Sequence, residues 1–294
     1  MIGILQNKNL TSAHMKNLLE DHWKNVENHV NRRTSGKKKI ENIEKDIKKF
    51  FGTKTKVTFK EIVTADYKRL TELKKDWKIE WDKLGIIAKN KRKRAYEKLY
   101  GNWRNHNGKE LVNKLELSVC PYCNRNHING AADFDHFFPT SEFPIFAVSL
   151  YNLIPACPAC NRTMKNKKTI DVSPYDNSKT TDGLLTFSCI PETATTYKPI
   201  IKKYDPAMEN NINVFKLKEM YSIHTGLVSE IMYKAKKYNT AYVNFLFDLT
   251  GFNLSIDLSP DEFYYNNYLS QENYYKRPLS KLTADLKKEF EILP

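Results

Sequence analysis

Apolar residues recur at three- and four-residue intervals through most of the first 112 positions. Leu18, Leu19, Trp23, Val26 and Val30 lie on one helical face, and Ile40, Ile43, Ile47, Phe50 and Phe51 on another. Gly52-Thr53 is expected to end the second of these helices. Thr58, with Glu61 three residues on, has the form of a capping box. One long helix is expected from there to about Leu84, carrying Ile62, Tyr67, Leu70, Leu73, Trp77 and Trp81. A further stretch holds Tyr96, Leu99, Tyr100 and Trp103 three to four apart, which reads as a buried helical face rather than a platform for stacked bases.

The pattern changes after residue 112. Residues 173–208 are rich in Pro, Thr, Asp and Asn, with a strand expected at Leu184–Ile190. Helical spacing returns from Ile212, in Val214, Leu217, Met220 and Tyr221, then Leu227 and Ile231, then Tyr242, Phe245 and Leu246. A tail, Tyr274-Tyr-Lys-Arg-Pro-Leu-Ser-Lys-Leu282, leads into a last short helix. The expected class is therefore mainly α with a small α+β core. Its parts are a helical region at 1–112, a motif segment at 113–172, and an irregular segment plus helical part at 173–294.

Charge sharpens this division. The net charge is +14, yet residues 1–119 hold 29 Lys and Arg against 15 Asp and Glu, while the remainder is balanced. Lys91, Arg92, Lys93 and Arg94 lie in the densest basic run. Such an excess on one segment is an ordinary solvated, lysine-rich helical surface or, beside the motif below, the electrostatic footprint of nucleic-acid contact or of an acidic partner protein. No apolar run approaches the roughly 20 residues of a membrane span, and the first residues lack the apolar core of a signal peptide. A cytoplasmic location with no membrane contact is expected. Four of the five cysteines fall in Cys-x-x-Cys pairs, which in a reducing compartment reads as metal binding. Cys189 stands apart and is expected to be a small buried hydrophobe.

The pairs are Cys120-Pro-Tyr-Cys123 and Cys157-Pro-Ala-Cys160. Two thiolates at this spacing sit on one tight knuckle and reach a single tetrahedral ion at about 2.3 Å. Two knuckles close a four-sulfur set with no open position, so a Zn²⁺ ion here is expected to be structural. Between them, Asn129-Gly130 is a hairpin signal. It leads into an expected strand, Ala131–His136, that delivers Asp133, Asp135 and His136.

These residues suit phosphodiester hydrolysis. Asp135 is expected to give a hard oxygen to a catalytic Mg²⁺ or Mn²⁺ ion, and Asn161, directly after the fourth cysteine, a second. His136 is the expected general base. Asn152 is expected to hold loop and imidazole geometry through its amide. Each has an ordinary alternative: a strand-end cap for Asp135, a core histidine for His136, a turn residue for Asn152, a helix cap for Asn161. Asp133 either supports the site or is a solvated edge residue. Arg125, Arg162, Lys165, Lys167 and Lys168 flank the motif and are expected phosphate contacts, together with Lys91–Arg94.

Cys120, Cys123, Asp135-His136, Asn152, Cys157, Cys160 and Asn161 together resemble the HNH endonucleases of the ββα-metal group, in the subclass with a four-cysteine zinc site. The last His of that motif is replaced here by Asn161, as also occurs in the nuclease domain of CRISPR effectors. A looser resemblance extends to Asp-Phe-Asp-His-Phe-Phe-Pro, Leu-Tyr-Asn-Leu-Ile-Pro and Lys276-Arg-Pro-Leu-Ser-Lys-Leu282. It is to the HNH subunits of Septu-type and retron-associated anti-phage systems, which pair with an ABC/SMC-like ATPase. The resemblance implies a zinc-stapled ββα nuclease that cleaves or nicks DNA, or RNA, in phage defence. It also implies an ATPase partner and a C-terminal helical part used for docking. The competing class is a non-catalytic zinc-ribbon adaptor, which needs the cysteines but not Asp135, His136 or Asn161. A nuclease held inactive until its partner releases it is a third.

Overall fold

The structure is a computed structural model that describes residues 1–31, 37–52, 57–128, 132–237 and 270–290, with 245 and 248. The Asn129-Gly130 turn, Ala131, Tyr242 and Leu246 lie outside the described residues. The chain is mainly helical with two small two-stranded sheets. No described helix is long and apolar enough to cross a membrane. Contacts divide the chain into two compact units. One holds Met1–Lys8, Ser118–His127 and Asn177–Pro294, and the other Asn9–Leu117 and Ile128–Asp176.

In the unit of Asn9–Leu117 and Ile128–Asp176, five helices precede a sheet: α1 (Ser12–Asn31), α2 (Lys37–Phe51), α3 (Phe59–Thr64), α4 (Tyr67–Asp82) and α5 (Ile86–Lys114). The single long helix expected over 58–84 is broken at Ala65, where ψ is 135°. Asp66 causes the break. Its carboxylate accepts the Arg69 N–H at 2.7 Å and starts a new helix. Thr58 caps α3 by accepting the Glu61 N–H at 3.1 Å, as its sequence position suggests. Gly52 follows α2 with φ +78°, the left-handed conformation that glycine adopts without penalty.

Strand β1 (Asp133–His136) pairs antiparallel with β2 (Leu153–Ala156), His136 opposite Leu153 and Asp133 opposite Ala156. The helices close over this sheet and its connecting loop. Trp103 of α5 meets Phe134 edge-on at 5.6 Å, and Tyr67 meets Phe137 at 5.6 Å. Gly108 permits the first approach, since a Cβ there would lie 3.1 Å from the Phe134 ring. Trp77, fully buried beside Phe50, donates its indole N–H to the Glu142 carbonyl at 3.0 Å. A π-helical segment, Ala159–Lys165, follows β2.

The other unit is built on an antiparallel pair, β3 (Leu185–Pro191) and β4 (Tyr197–Tyr204), with a bulge at Thr186/Phe187. A short turn, α6 (Thr181–Leu184), leads into β3. Helices α7 (Glu209–Val214), α8 (Leu217–Ser222), α9 (Thr225–Lys237) and α10 (Ser280–Glu289) complete the described part. The Asp285 carboxylate accepts the Phe187 N–H at 2.8 Å and so fixes α10 on β3. Cys189 is buried, as expected.

His22 of α1 is 3% exposed, and its Nε2 meets the Val148 carbonyl at 2.8 Å. Burial lowers its pKa to about 4. A histidine released on unfolding titrates near 6.5, so the folded state binds this proton more weakly. Its contribution to stability is therefore complete above pH 6.5 and lost as the pH falls from about 6.5 to about 4. The loss should amount to about 3 kcal/mol. Urea unfolding across this range should show the decline, and His22→Phe should flatten it.

Candidate functional site

Cys120, Cys123, Cys157 and Cys160 are buried, and their sulfurs lie within 4.8 Å of one another. A tetrahedral site with Zn–S arms of about 2.3 Å has edges near ~3.8 Å, so small side-chain movements bring all four onto one ion. The four cysteines can hold a metal such as zinc. A set of four thiolates leaves no open position and so stabilises structure rather than performing chemistry.

Local folding prepares each pair. At the first, the Asn124 N–H bonds the Cys120 carbonyl at 2.7 Å, and the Cys120 N–H bonds the Asn126 carbonyl at 2.9 Å. Asn124 itself has φ +48°, a left-handed turn that Asn tolerates better than most residues. Its buried side chain is a hub for the tail motif. Its amide donates to the Tyr274 carbonyl at 2.8 Å, and its oxygen accepts from Ser280 Oγ at 3.2 Å and the Lys281 N–H at 3.0 Å. The backbone carbonyl of Asn124 accepts the Leu279 N–H at 2.6 Å. Tyr221 Oη donates to the Cys123 carbonyl at 2.7 Å. At the second pair, the Asn161 N–H bonds the Cys157 carbonyl at 3.0 Å and opens the π-helical segment.

The Asp-x-Asp-His run occupies β1. Alternation along the strand puts Asp133 and Asp135 on one face, and both are buried, 3% and 4% exposed. Each carboxylate is met by cations. Lys165 Nζ lies 2.9 Å from Asp135 Oδ1 and 3.1 Å from the His136 carbonyl. Asp133 accepts Arg162 Nε at 2.6 Å and Nη2 at 2.7 Å, and Arg104 Nη2 at 3.0 Å. The Arg162 hydrogen bonds, with the charges of Arg162 and Arg104 and a bond from the Asn161 side chain, hold the Asp133 carboxyl below its usual range.

His136 is half-buried at the end of β1. Its Nε2 lies 2.9 Å from the Ala147 carbonyl. A carbonyl only accepts, so Nε2 carries the proton and Nδ1 keeps the lone pair. Desolvation lowers the pKa of the ring, against the opposing pull of the Ala147 bond and Asp135. The Tyr100 ring stands edge-on to the imidazole at 4.5 Å.

Asn152 is fully buried and holds the loop between the strands. Its Oδ1 accepts the Phe138 N–H at 2.7 Å, and its Nδ2 donates to the Phe138 and Phe146 carbonyls at 3.2 and 3.0 Å. Ala147, the partner of His136, follows Phe146 directly. The amide thus fixes the carbonyl that orients the imidazole.

The expected phosphate contacts divide. Lys167 and Lys168 are exposed just beyond the π-helical segment, and Arg162 is exposed while anchored on Asp133. Lys165 departs from expectation. It is 1% exposed, and an ammonium enclosed on Asp135 is not presented to a polymer. On α5, Lys91 and Arg94 are exposed and Lys93 lies 3.7 Å from Glu97. Arg92 turns inward, 2.9 Å from Asp46 and against Phe50. Arg125 is half-buried in the other unit.

Tyr100 and Arg104 were not expected at the site. They sit four residues apart on α5, hence on one helical face, and touch His136 and Asp133 respectively. The available signal was that two nearby carboxylates on a buried strand require cations, and a helix with one arginine a turn beyond an aromatic can supply one.

No known protein family and no solved structure matches the chain. A stretch of 88 residues is 32% identical to Protein ea31 of Escherichia phage lambda; it covers 28% of this chain and 29% of the phage protein.

Metal analysis of the purified protein should find one zinc per chain. Cys157→Ser should lower the zinc content and the melting temperature; a zinc-free variant with an unchanged melting curve would remove the staple. Asn152→Ala removes the side-chain partner of the Phe138 N–H and carbonyl and one of the two bonds to the Phe146 carbonyl, and should cost about 1–3 kcal/mol in urea unfolding, with zinc retained.

Proposed function

We propose that the protein is a metal-dependent endonuclease of the HNH, ββα-metal class that cleaves or nicks nucleic acid, most suitably DNA. The observation that carries this reading is His136. It is desolvated and its Nε2 is tied to the Ala147 carbonyl at the end of β1, which leaves Nδ1 with the lone pair. The order of elements adds support: two antiparallel strands, then a helical segment that begins beside the second cysteine pair and carries Asn161.

In this mechanism Nδ1 of His136 takes a proton from the water whose oxygen bonds to phosphorus as the phosphodiester P–O bond breaks. The 3′-oxygen departs with the bonding pair and takes a proton from solvent, which leaves a 5′-phosphate. Asn152 keeps the imidazole aimed through the loop that carries Ala147. The donor types of Asp135 and Asn161 fit a hard cation. Asn161 donates its side-chain amide to the Asp133 carboxylate. A Mg²⁺ or Mn²⁺ ion, when bound there, supplies positive charge against the scissile phosphate and the departing oxygen. The exposed cations Arg162, Lys167, Lys168, Lys91 and Arg94 suit a polyanionic substrate.

The biological setting follows from the resemblance: phage defence in the cytoplasm, with an ABC/SMC-like ATPase as partner. An adaptor that used only the cysteines has no need of an oriented imidazole or of buried carboxylates matched by cations.

Supercoiled plasmid in Mg²⁺ and in Mn²⁺, with equal zinc in all samples, tests the reading. Wild type should nick the plasmid and His136→Ala should lose at least about 10²-fold in rate while remaining folded. Equal cleavage by the two would sink the mechanism. Cleavage by neither, with the ATPase added, would favour the adaptor.

A further inference from the structure

We propose that Arg104, on α5, is a phosphate-binding residue of the site and that Asp133 is the residue that positions it together with Arg162. The proposal rests on the nuclease reading and adds to it a substrate contact from the helical region. Its basis is the unequal burial of the three groups. The Asp133 side chain is 4% exposed, whereas those of Arg104 and Arg162 are 40% and 67% exposed. A buried carboxylate needs one cation; this one has two, so the cluster carries one surplus positive charge held near the surface.

Geometry favours a phosphate as the recipient. A guanidinium has five N–H donors. Asp133 engages two on Arg162 and one on Arg104. The rigid planar forks retain further donors suited to phosphate oxygens. Arg104 is four residues along α5 from Tyr100, about 6 Å in rise, and Tyr100 touches His136. That offset is one or two steps of a nucleotide strand, at about 3.4 Å per step. Arg104 and Arg162 are therefore placed to grip a phosphate next to the one that His136 serves. The amide of Asn161 also bonds Asp133, so one carboxylate sets both the clamp and a proposed metal donor.

Two readouts on the full zinc-loaded chain test the clamp. In a His136→Ala background, affinity for a fluorescein-labelled DNA duplex is measured against salt. Arg104→Ala should weaken binding by roughly three- to tenfold and reduce the slope of log K against log salt by about 1. Arg104→Lys should recover the slope. Asp133→Asn removes a negative charge, so charge alone would strengthen binding; the positioning role requires that it weaken. With His136 intact, Arg104→Ala should raise KM severalfold with kcat within about twofold.

An unchanged slope and KM in Arg104→Ala, with plasmid still nicked, overturns the clamp and leaves the nuclease standing. Loss of binding in Arg104→Ala, when wild type cleaves nothing even with the ATPase added, supports the clamp and defeats the nuclease. Neither cleavage nor DNA binding by wild type overturns both.

Discussion

Two carboxylates taken almost out of water, Asp133 and Asp135, govern the unit that holds both strands β1 and β2. Burying an uncompensated charge costs several kcal/mol, so Asp133 and Asp135 require cations at hydrogen-bond distance. One helix alone does not supply all of them. Lys165 and Arg162 come from the segment after the second cysteine pair, and Arg104 comes from α5. The requirement therefore ties a strand to two elements distant in sequence. The α5 helix, which the charge distribution marks as part of a basic region, becomes a wall of the site.

The loop from Phe137 to Tyr151 shows a second level of control. It carries no regular strand or long helix, yet most of it is buried. Its polar groups are answered from several directions: Asn152 from β2's edge, His22 from α1, Trp77 from α4, and Ser149 Oγ donating to the Ile62 carbonyl of α3 at 2.8 Å. A buried loop is stable only when its backbone groups find such partners. The carbonyl that orients His136 is held by this arrangement, so the imidazole inherits the rigidity of the whole helical layer.

Much of the fold was legible because it is local. The helical spacing around Trp77 and Trp103, the Thr58 cap and the strand ending at about Ile190 all depend on near neighbours. The break at Ala65 was missed because an apolar face runs through it unbroken, while one capping carboxylate, Asp66, decides the backbone. The cysteine pairs were legible as a motif, since metal binding by thiolates demands a fixed residue type at fixed spacing. What spacing does not reveal is who pairs with whom. Lys165 looked like any lysine in a basic run, and only its packing turns it inward. Arg104 and Tyr100 lie some 30 residues before the strand they serve.

Asn124 has a consequence for the order of events during synthesis. Its side chain binds the N–H of Lys281, a residue 157 positions later, and its carbonyl binds that of Leu279. On a ribosome, the first cysteine knuckle emerges long before these partners exist. It can reach its observed packing only after the tail motif has been made. Translation itself thus delays completion of the first cysteine pair, and a chain cut short before residue 279 lacks the segment that secures it.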